Sequence, residues 1–156
     1  MAKIITKENI FDVLKEFESG KQLSALKKME RYIKHNKDDY KTRYNYAVML
    51  EKNGQKEKAI SNYQIILNKE PNNWRALSNL YLIYFDQQRF SDSLKLANKL
   101  LKSFPNHQPT LRDKAHIQFY LNNLTEAKSN VELSIKLNQK DYIALHVLGM
   151  ILDKMG

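Results

Sequence analysis

With 156 residues the chain is long enough for one domain with a real core and too short for two ordinary ones. Apolar residues make up 42%, glycine and proline number only four and three, and cysteine is absent, so the composition points to a folded, mostly helical chain without a disulfide framework or a thiolate zinc site. The formal charge of +9 favours acidic partners, nucleic acid or anionic surfaces, against the simpler reading of a solvated, lysine-rich exterior.

The N-terminal stretch MAKIITKENIF has no continuous apolar run of the secretory type, and the most apolar segment, YIALHVLGMIL, is too short to span a bilayer, so a cytoplasmic protein with no membrane span is expected. A first helix puts Ile10, Val13, Leu14 and Phe17 on one side and Glu8, Asp12, Lys15 and Glu16 largely opposite, the polar outer face a terminal unit needs. The stretch KQLSALKKMERYIKHNK reads as a second helix with Leu23, Leu26, Met29 and Ile33 inward and Lys21, Lys28 and Arg31 outward. Its basic side lacks the aromatic interleaving that stacks bases, which favours a solvated face over nucleic-acid binding. Asp38 and Asp39 stand before a helix starting near Tyr40, where carboxylates stabilise free N–H groups.

Tyr46, Ala47 and Leu50, then Ile60, Tyr63 and Leu67, keep helical spacing on either side of Gly54. Pro71 stops the second of these helices, and Asn72 or Asn73 helps start the next. Trp74, at that start, is expected to pack across the junction. Leu77, Leu80, Tyr81 and Tyr84, followed by Ser93 and Ala97 and closed by Pro105, make another pair. Leu111 and Ala115, then Ala127 and Val131, continue the pattern, but Lys114 and Gln118 fall in apolar places and Gln139 stands where a proline is due, so this pair is expected to pack least well. The final helix carries Ile143, Ala144, Leu145, Val147, Leu148, Met150, Ile151 and Leu152 around its circumference, as buried helices do. The expectation is that more chain follows Gly156, or that self-association or another chain covers this helix.

A shift of 34 residues maps Pro71 onto Pro105, Ala25 onto Ala59, Ser93 and Ala127, and Gly20 onto Gly54, Gln88, Asn122 and Gly156. Each unit is then a helical hairpin whose small residues allow two antiparallel helices to approach closely. With Arg43, Tyr46, Ala47, Leu50, Ala59, Tyr63 and Pro71 in phase, the chain resembles the tetratricopeptide repeat family. A pentatricopeptide array, the RNA-binding competitor, has a unit about one residue longer.

The resemblance implies an all-α, right-handed solenoid of about four hairpins plus one extra C-terminal helix. Its repeats would run over about 7–39, 40–73, 74–107 and 108–141, with a partial one over 142–156, in a single domain 1–156. It also implies a non-enzymatic interaction module that binds a protein or peptide along a groove lined by the first helix of each hairpin. Helical spacing then places Lys41, Tyr44, Arg75, Leu82, Phe85, Arg112, His116, Phe119 and His146 on that surface. An apolar floor edged by Lys41, Arg75 and Arg112 suits an acidic segment with apolar anchors.

The carboxylate clamp of some chaperone-binding relatives is only partly matched: Asn45, Asn79 and Arg75 are compatible, whereas Phe11 and Lys15 replace its first-repeat pair. No phosphate loop, H-E-x-x-H or G-x-S-x-G motif occurs, so no catalytic residue, cofactor or metal is expected. His116 and His146 face the same groove with Asp153 nearby, and read as partner contacts before a metal or acid–base pair. Two alternatives stand beside the interaction module: the N-terminal region of a larger enzyme such as a transferase, and a basic nucleic-acid-binding repeat, which would lose affinity steeply with salt.

Overall fold

The computed structural model describes residues 9–156, which hold nine helices and no strand. Two compact units meet in the chain at Pro71 and Asn72. The first contains α1 (Ile10–Glu18), α2 (Gln22–His35), α3 (Tyr40–Lys52) and α4 (Lys56–Lys69), as two antiparallel hairpins. The second contains α5 (Trp74–Asp86), α6 (Phe90–Ser103), α7 (Gln108–Tyr120), α8 (Leu124–Leu137) and α9 (Tyr142–Met155), two hairpins and one further helix. Among the described residues no helix is long and apolar enough to cross a membrane. The expected repeat start at residue 7 and the polar Glu8 lie outside the described residues.

The 34-residue recurrence has a direct backbone cause. Gly20, Gly54, Gln88 and Asn122, each one residue past a helix C-cap, have φ of 95°, 78°, 59° and 62°. A left-handed residue there lets its own amide and the next one fold back on the helix end. The Gly54 N–H donates to the Glu51 carbonyl at 2.9 Å and the Gln55 N–H to the Leu50 carbonyl at 2.8 Å. The same pair of bonds recurs at Gly20 and Lys21, at Gln88 and Arg89, and at Asn122 and Asn123. All four hairpins therefore turn through one motif, whether or not the residue is glycine.

Helix starts are set as locally. Asp39 caps α3 by accepting the Thr42 N–H at 3.0 Å, Asn73 caps α5 by accepting the Ala76 N–H at 3.0 Å, and Asp141 caps α9 by accepting the Ile143 and Ala144 N–H groups. Asp38 is not a cap; its carboxylate accepts the Tyr40 hydroxyl instead. At the joint without proline, the Asn138 side chain accepts the Lys140 N–H at 3.1 Å, so the turn into α9 is held by asparagine and aspartate.

In the first unit Ala25, Ala47 and Ala59 are fully buried and let Met29, Leu50, Tyr63 and Ile66 close around them. Leu23, expected inward, is 67% exposed, and Tyr32 takes the inward place on α2 with Ala25, Leu26, Met29 and Ile33. Lys28, expected in water, folds onto Glu16 of α1. In the second unit Ala76, Leu77, Ala97 and Leu100 form one part of the core. Ala115, Ala127, Val131, Ala144, Val147 and Ile151 form another. Each large aliphatic side chain so buried is worth about 1.5–3 kcal/mol.

The α7–α8 hairpin, expected to pack least well, is closed by polar pairing. Gln118 is buried and its side-chain oxygen accepts the Asn130 amide at 2.8 Å. Lys114 is half-buried, and burial lowers its pKa. The last helix buries Ala144, Val147 and Ile151 but leaves Tyr142, Ile143, Leu145, Leu152 and Met155 exposed.

Candidate functional site

Within the second unit α5 and α7 lie so that their solvent-facing residues come together. Leu82 and Phe85 from α5, and Asp113 and His116 from α7, line a cleft floored by Tyr81 and Ile117. Leu82 is 41% exposed although its neighbours Tyr81 and Ile83 are buried, a placement the helical period dictates. Phe85 is half-buried and sits 5.0 Å from the His116 ring and 5.4 Å from those of Phe90 and Tyr120. Phe90 and Tyr120 are stacked 7° from parallel at 4.9 Å. Four rings thus form one patch, with Tyr120 48% exposed. Aromatic contacts of this type add about 0.5–1.5 kcal/mol each beyond burial, which holds the rings against one another.

Burial lowers the His116 pKa, and nearby His146 and Arg112 charges act the same way, while Asp113 opposes them. His116 is accordingly held toward its neutral, apolar-compatible form. His146 on α9 is exposed. Phe119 is half-buried against the α7–α9 core, makes an edge contact with Tyr120, and has the Lys154 ammonium 4.8 Å above its ring. Among the described residues no three His, Cys, Asp or Glu side chains are grouped to hold a metal.

The charges expected at the groove edge differ from one another. Arg75 is exposed, with its guanidinium 5.4 Å from the Trp74 ring. Trp74 itself is 43% exposed and packs against His107 at 5.5 Å. Arg112 is engaged within the unit: Nε donates to Asp113 at 2.9 Å and a terminal nitrogen to Asp141 at 3.0 Å. Gln108 also donates to Asp141, at 2.6 Å. Burial alone would raise the Asp141 pKa, but Gln108, the Ala144 N–H and Arg112 outweigh it and hold the carboxyl below its usual range. Arg112 is therefore a strut between α7 and the start of α9 before it is a contact for anything else.

In the first unit Tyr44 lines a cleft of about 220 Å³ with Leu14, Phe17, Asn45, Val48 and Lys52, and its ring lies 5.9 Å from Tyr63. Lys41 is exposed one turn before it. Phe11 is 64% exposed, with the Lys15 ammonium 4.5 Å from its ring centre. Sequence reasoning did not find Phe90 and Tyr120. The groove residues expected from spacing all lie on the first helices of the hairpins, whereas Phe90 opens a second helix and Tyr120 stands one residue out of register with Phe85.

Residues 41–73 match a family model described as tetratricopeptide repeat. A tetratricopeptide repeat protein from Parabacteroides merdae has a similar solved structure, with TM-score 0.87, 20% identity, and coverage of 96% of this chain and 60% of that one. MamA from Desulfovibrio magneticus RS-1 is also similar, with TM-score 0.86 at 14% identity over 98% of this chain and 88% of that one. The first tetratricopeptide repeat domain of Spaghetti (RPAP3), solved with the HSP90 peptide SRMEEVD, aligns at TM-score 0.71 and 20% identity over 74% of this chain and 92% of that one. Among curated proteins, the N-terminal acetyltransferase A complex auxiliary subunit NAA15 of Arabidopsis thaliana is 33% identical over 67 residues, which are 43% of this chain and 8% of that protein. The chain thus spans less than two thirds of the curated relative and of the Parabacteroides protein. It contains a tetratricopeptide repeat at residues 41–73 and has the all-α fold of tetratricopeptide repeat proteins.

Proposed function

We propose that this protein is a non-catalytic interaction module whose second unit binds a protein or peptide segment on the α5–α7 face. The observation that carries this reading is the preorganised aromatic patch of Phe85, Phe90, His116 and Tyr120 beside exposed Leu82. Rigid aromatic side chains that stay accessible cost little further ordering on association and supply the anchors that dominate interface energetics. Arg75 and the exposed His146 lie on the same unit as cationic or proton-donating rim groups, which favours a segment carrying carboxylates beside its apolar anchors. Phe119 packs against the α7–α9 core with an edge contact to Tyr120, and Arg112 acts by fixing α7 against the α9 cap. Lys41 and Tyr44 offer a further surface on the first unit, beside the cleft that Tyr44 lines. The peptide bound to the RPAP3 domain is itself acidic with a methionine and a valine, which accords with that chemistry.

Selection from a random-sequence peptide library tests the reading without a known partner. Enriched sequences are expected to combine Asp or Glu with Leu, Phe or Met. Enrichment of basic sequences, or of sequences that bind Phe85→Ala as well as the parent, contradicts it.

A second reading makes the chain an auxiliary part of a larger transferase assembly, and the resemblance to the NAA15 auxiliary subunit favours it. Acetyltransferase activity co-purifying with the tagged chain from its own host is the outcome expected of that reading; a tagged chain free of such activity speaks against it.

A further inference from the structure

The first unit carries a second concavity, on the side of α3 away from Tyr44, Asn45 and Val48. Residues Tyr44, Asn45 and Val48 point one way from α3, while Arg43 and Tyr46 point the other, as the 100° step per residue requires. This pocket is about 370 Å³, a size typical of ligand sites, and its wall comes from α2, α3, α4 and the loop at Lys37. Lys34, Lys37, Arg43 and Lys58 line it with a single carboxylate, Glu30, a net charge of +3.

Internal pairing takes up one of these cations, Lys34, and leaves the others. Among the described residues Glu30 takes only Lys34, at 3.7 Å. Lys37 and Lys58 form no ion pair with a described residue. Arg43 is 92% removed from solvent, its relative exposure being 8%. One terminal nitrogen donates to the Asn62 side-chain oxygen at 3.1 Å and the other to the Lys37 carbonyl at 3.1 Å, both neutral acceptors. Its Nε is buried with no acceptor among the described residues. A buried guanidinium with no carboxylate hydrogen-bonded to it, and one donor unsatisfied, is a costly arrangement for structure alone. Tyr46 and Ile33 form the apolar wall, and burial, with Glu30 nearby, pushes the Tyr46 phenol up to about 12, so it stays a neutral donor.

We propose that this pocket is a binding site for a phosphate monoester, with Arg43 at its base, Lys34, Lys37 and Lys58 around its mouth, and Tyr46 against the group that carries the phosphate. A dianion answers the net charge better than one carboxylate, and its three free oxygens match several N–H donors converging from different elements. A nucleic-acid backbone fits less well, because the charge is gathered in one concavity and a single ring, Tyr46, lines it where successive bases need several.

The test is titration of the intact chain with inorganic phosphate at ionic strength held constant with sodium chloride, followed by amide NMR. Saturable shifts confined to residues 30–37, 43–46 and 58–62 are expected. Lys34→Glu and Lys58→Glu, both on exposed sites, each weaken binding about tenfold or more, and Lys102→Glu on α6 leaves it unchanged. Arg43→Lys keeps the charge but not the fork, and is expected to weaken binding with it; the lysine variants carry the test should it not fold. A phosphoserine peptide and glycerol 3-phosphate distinguish a phosphorylated protein from a small molecule, and whichever binds more tightly than inorganic phosphate names the source. Shifts that fail to saturate or spread over all lysines overturn the proposal. So do lysine variants that bind as the parent does, neither ester exceeding inorganic phosphate, or a single-stranded oligonucleotide engaging these residues more tightly than either ester.

Discussion

Gln88 turns the α5–α6 hairpin with φ of 59°, where Gly20 and Gly54 turn the two hairpins of the first unit at 95° and 78°. An L-residue in this left-handed region pays about 1–2 kcal/mol in contact between its Cβ and the backbone. Glycine avoids that but gives up about 0.5–1 kcal/mol more chain entropy on folding. Gln88→Gly is therefore expected to stabilise the protein by about 0.5–1 kcal/mol. Asn122→Gly gains less, because asparagine tolerates this conformation better than glutamine. Gly54→Ala loses about 1 kcal/mol, and for the same backbone reason: a Cβ built there meets nothing within 4 Å, so crowding by other side chains contributes nothing. Urea denaturation followed by far-UV circular dichroism measures all three. A destabilised Gln88→Gly, or a Gly54→Ala as stable as the parent, would refute the claim that the turn geometry, not the residue, is what repeats.

Three further outcomes follow from the second unit. Asp141→Asn keeps a cap for α9 but removes the charge that Arg112 and Gln108 address, and is expected to cost about 1–2 kcal/mol at neutral pH. Because the folded pKa of Asp141 lies below its unfolded value, this contribution is present above about pH 4 and is lost as pH falls through the folded value; the gap between parent and variant should close on acidification. Ile151→Ala opens a void in the fully buried α7–α9 core and should cost about 2–5 kcal/mol in the same denaturation assay. Tyr81→Phe deletes the donor that reaches Asp113 at 2.8 Å and should cost about 1–2 kcal/mol, with Arg112 still pairing Asp113.

The helices were legible because they rest on local rules. Pro71, Asn73 and the phase of Gly20, Gly54, Gln88 and Asn122 set stops, starts and turns within a few residues of themselves, and α3, α5, α7 and α9 duly begin 34 residues apart. The small residues Ala25, Ala59, Ser93 and Ala127 are all fully buried; where serine replaces alanine, its hydroxyl is absorbed by the Tyr81 carbonyl at 2.7 Å. What could not be read was the reach of long polar side chains. Arg112 has the right spacing for a groove edge, yet two carboxylates lie within its radius, one of them 29 residues on, and they draw it into the unit. Gln118 looked like a fault in an apolar stripe until Asn130 met it from α8. Leu23 shows the converse: periodicity alone cannot tell a buried stripe from its edge, and α2 rotates so that Tyr32 is covered instead. The candidate face was legible to the extent that Leu82, Phe85 and His116 converge. Its two outer rings were not, since Phe90 and Tyr120 belong to the hairpin ends.

The claim that this face captures an apolar, acidic segment is tested most directly by calorimetric titration of one library-selected peptide into the parent chain, Phe85→Ala and Leu82→Glu. The expected result is a loss of about 2 kcal/mol or more, roughly thirtyfold in Kd, for Phe85→Ala, and a comparable loss for Leu82→Glu, with helicity unchanged in both. Equal affinity for all three proteins would contradict the account.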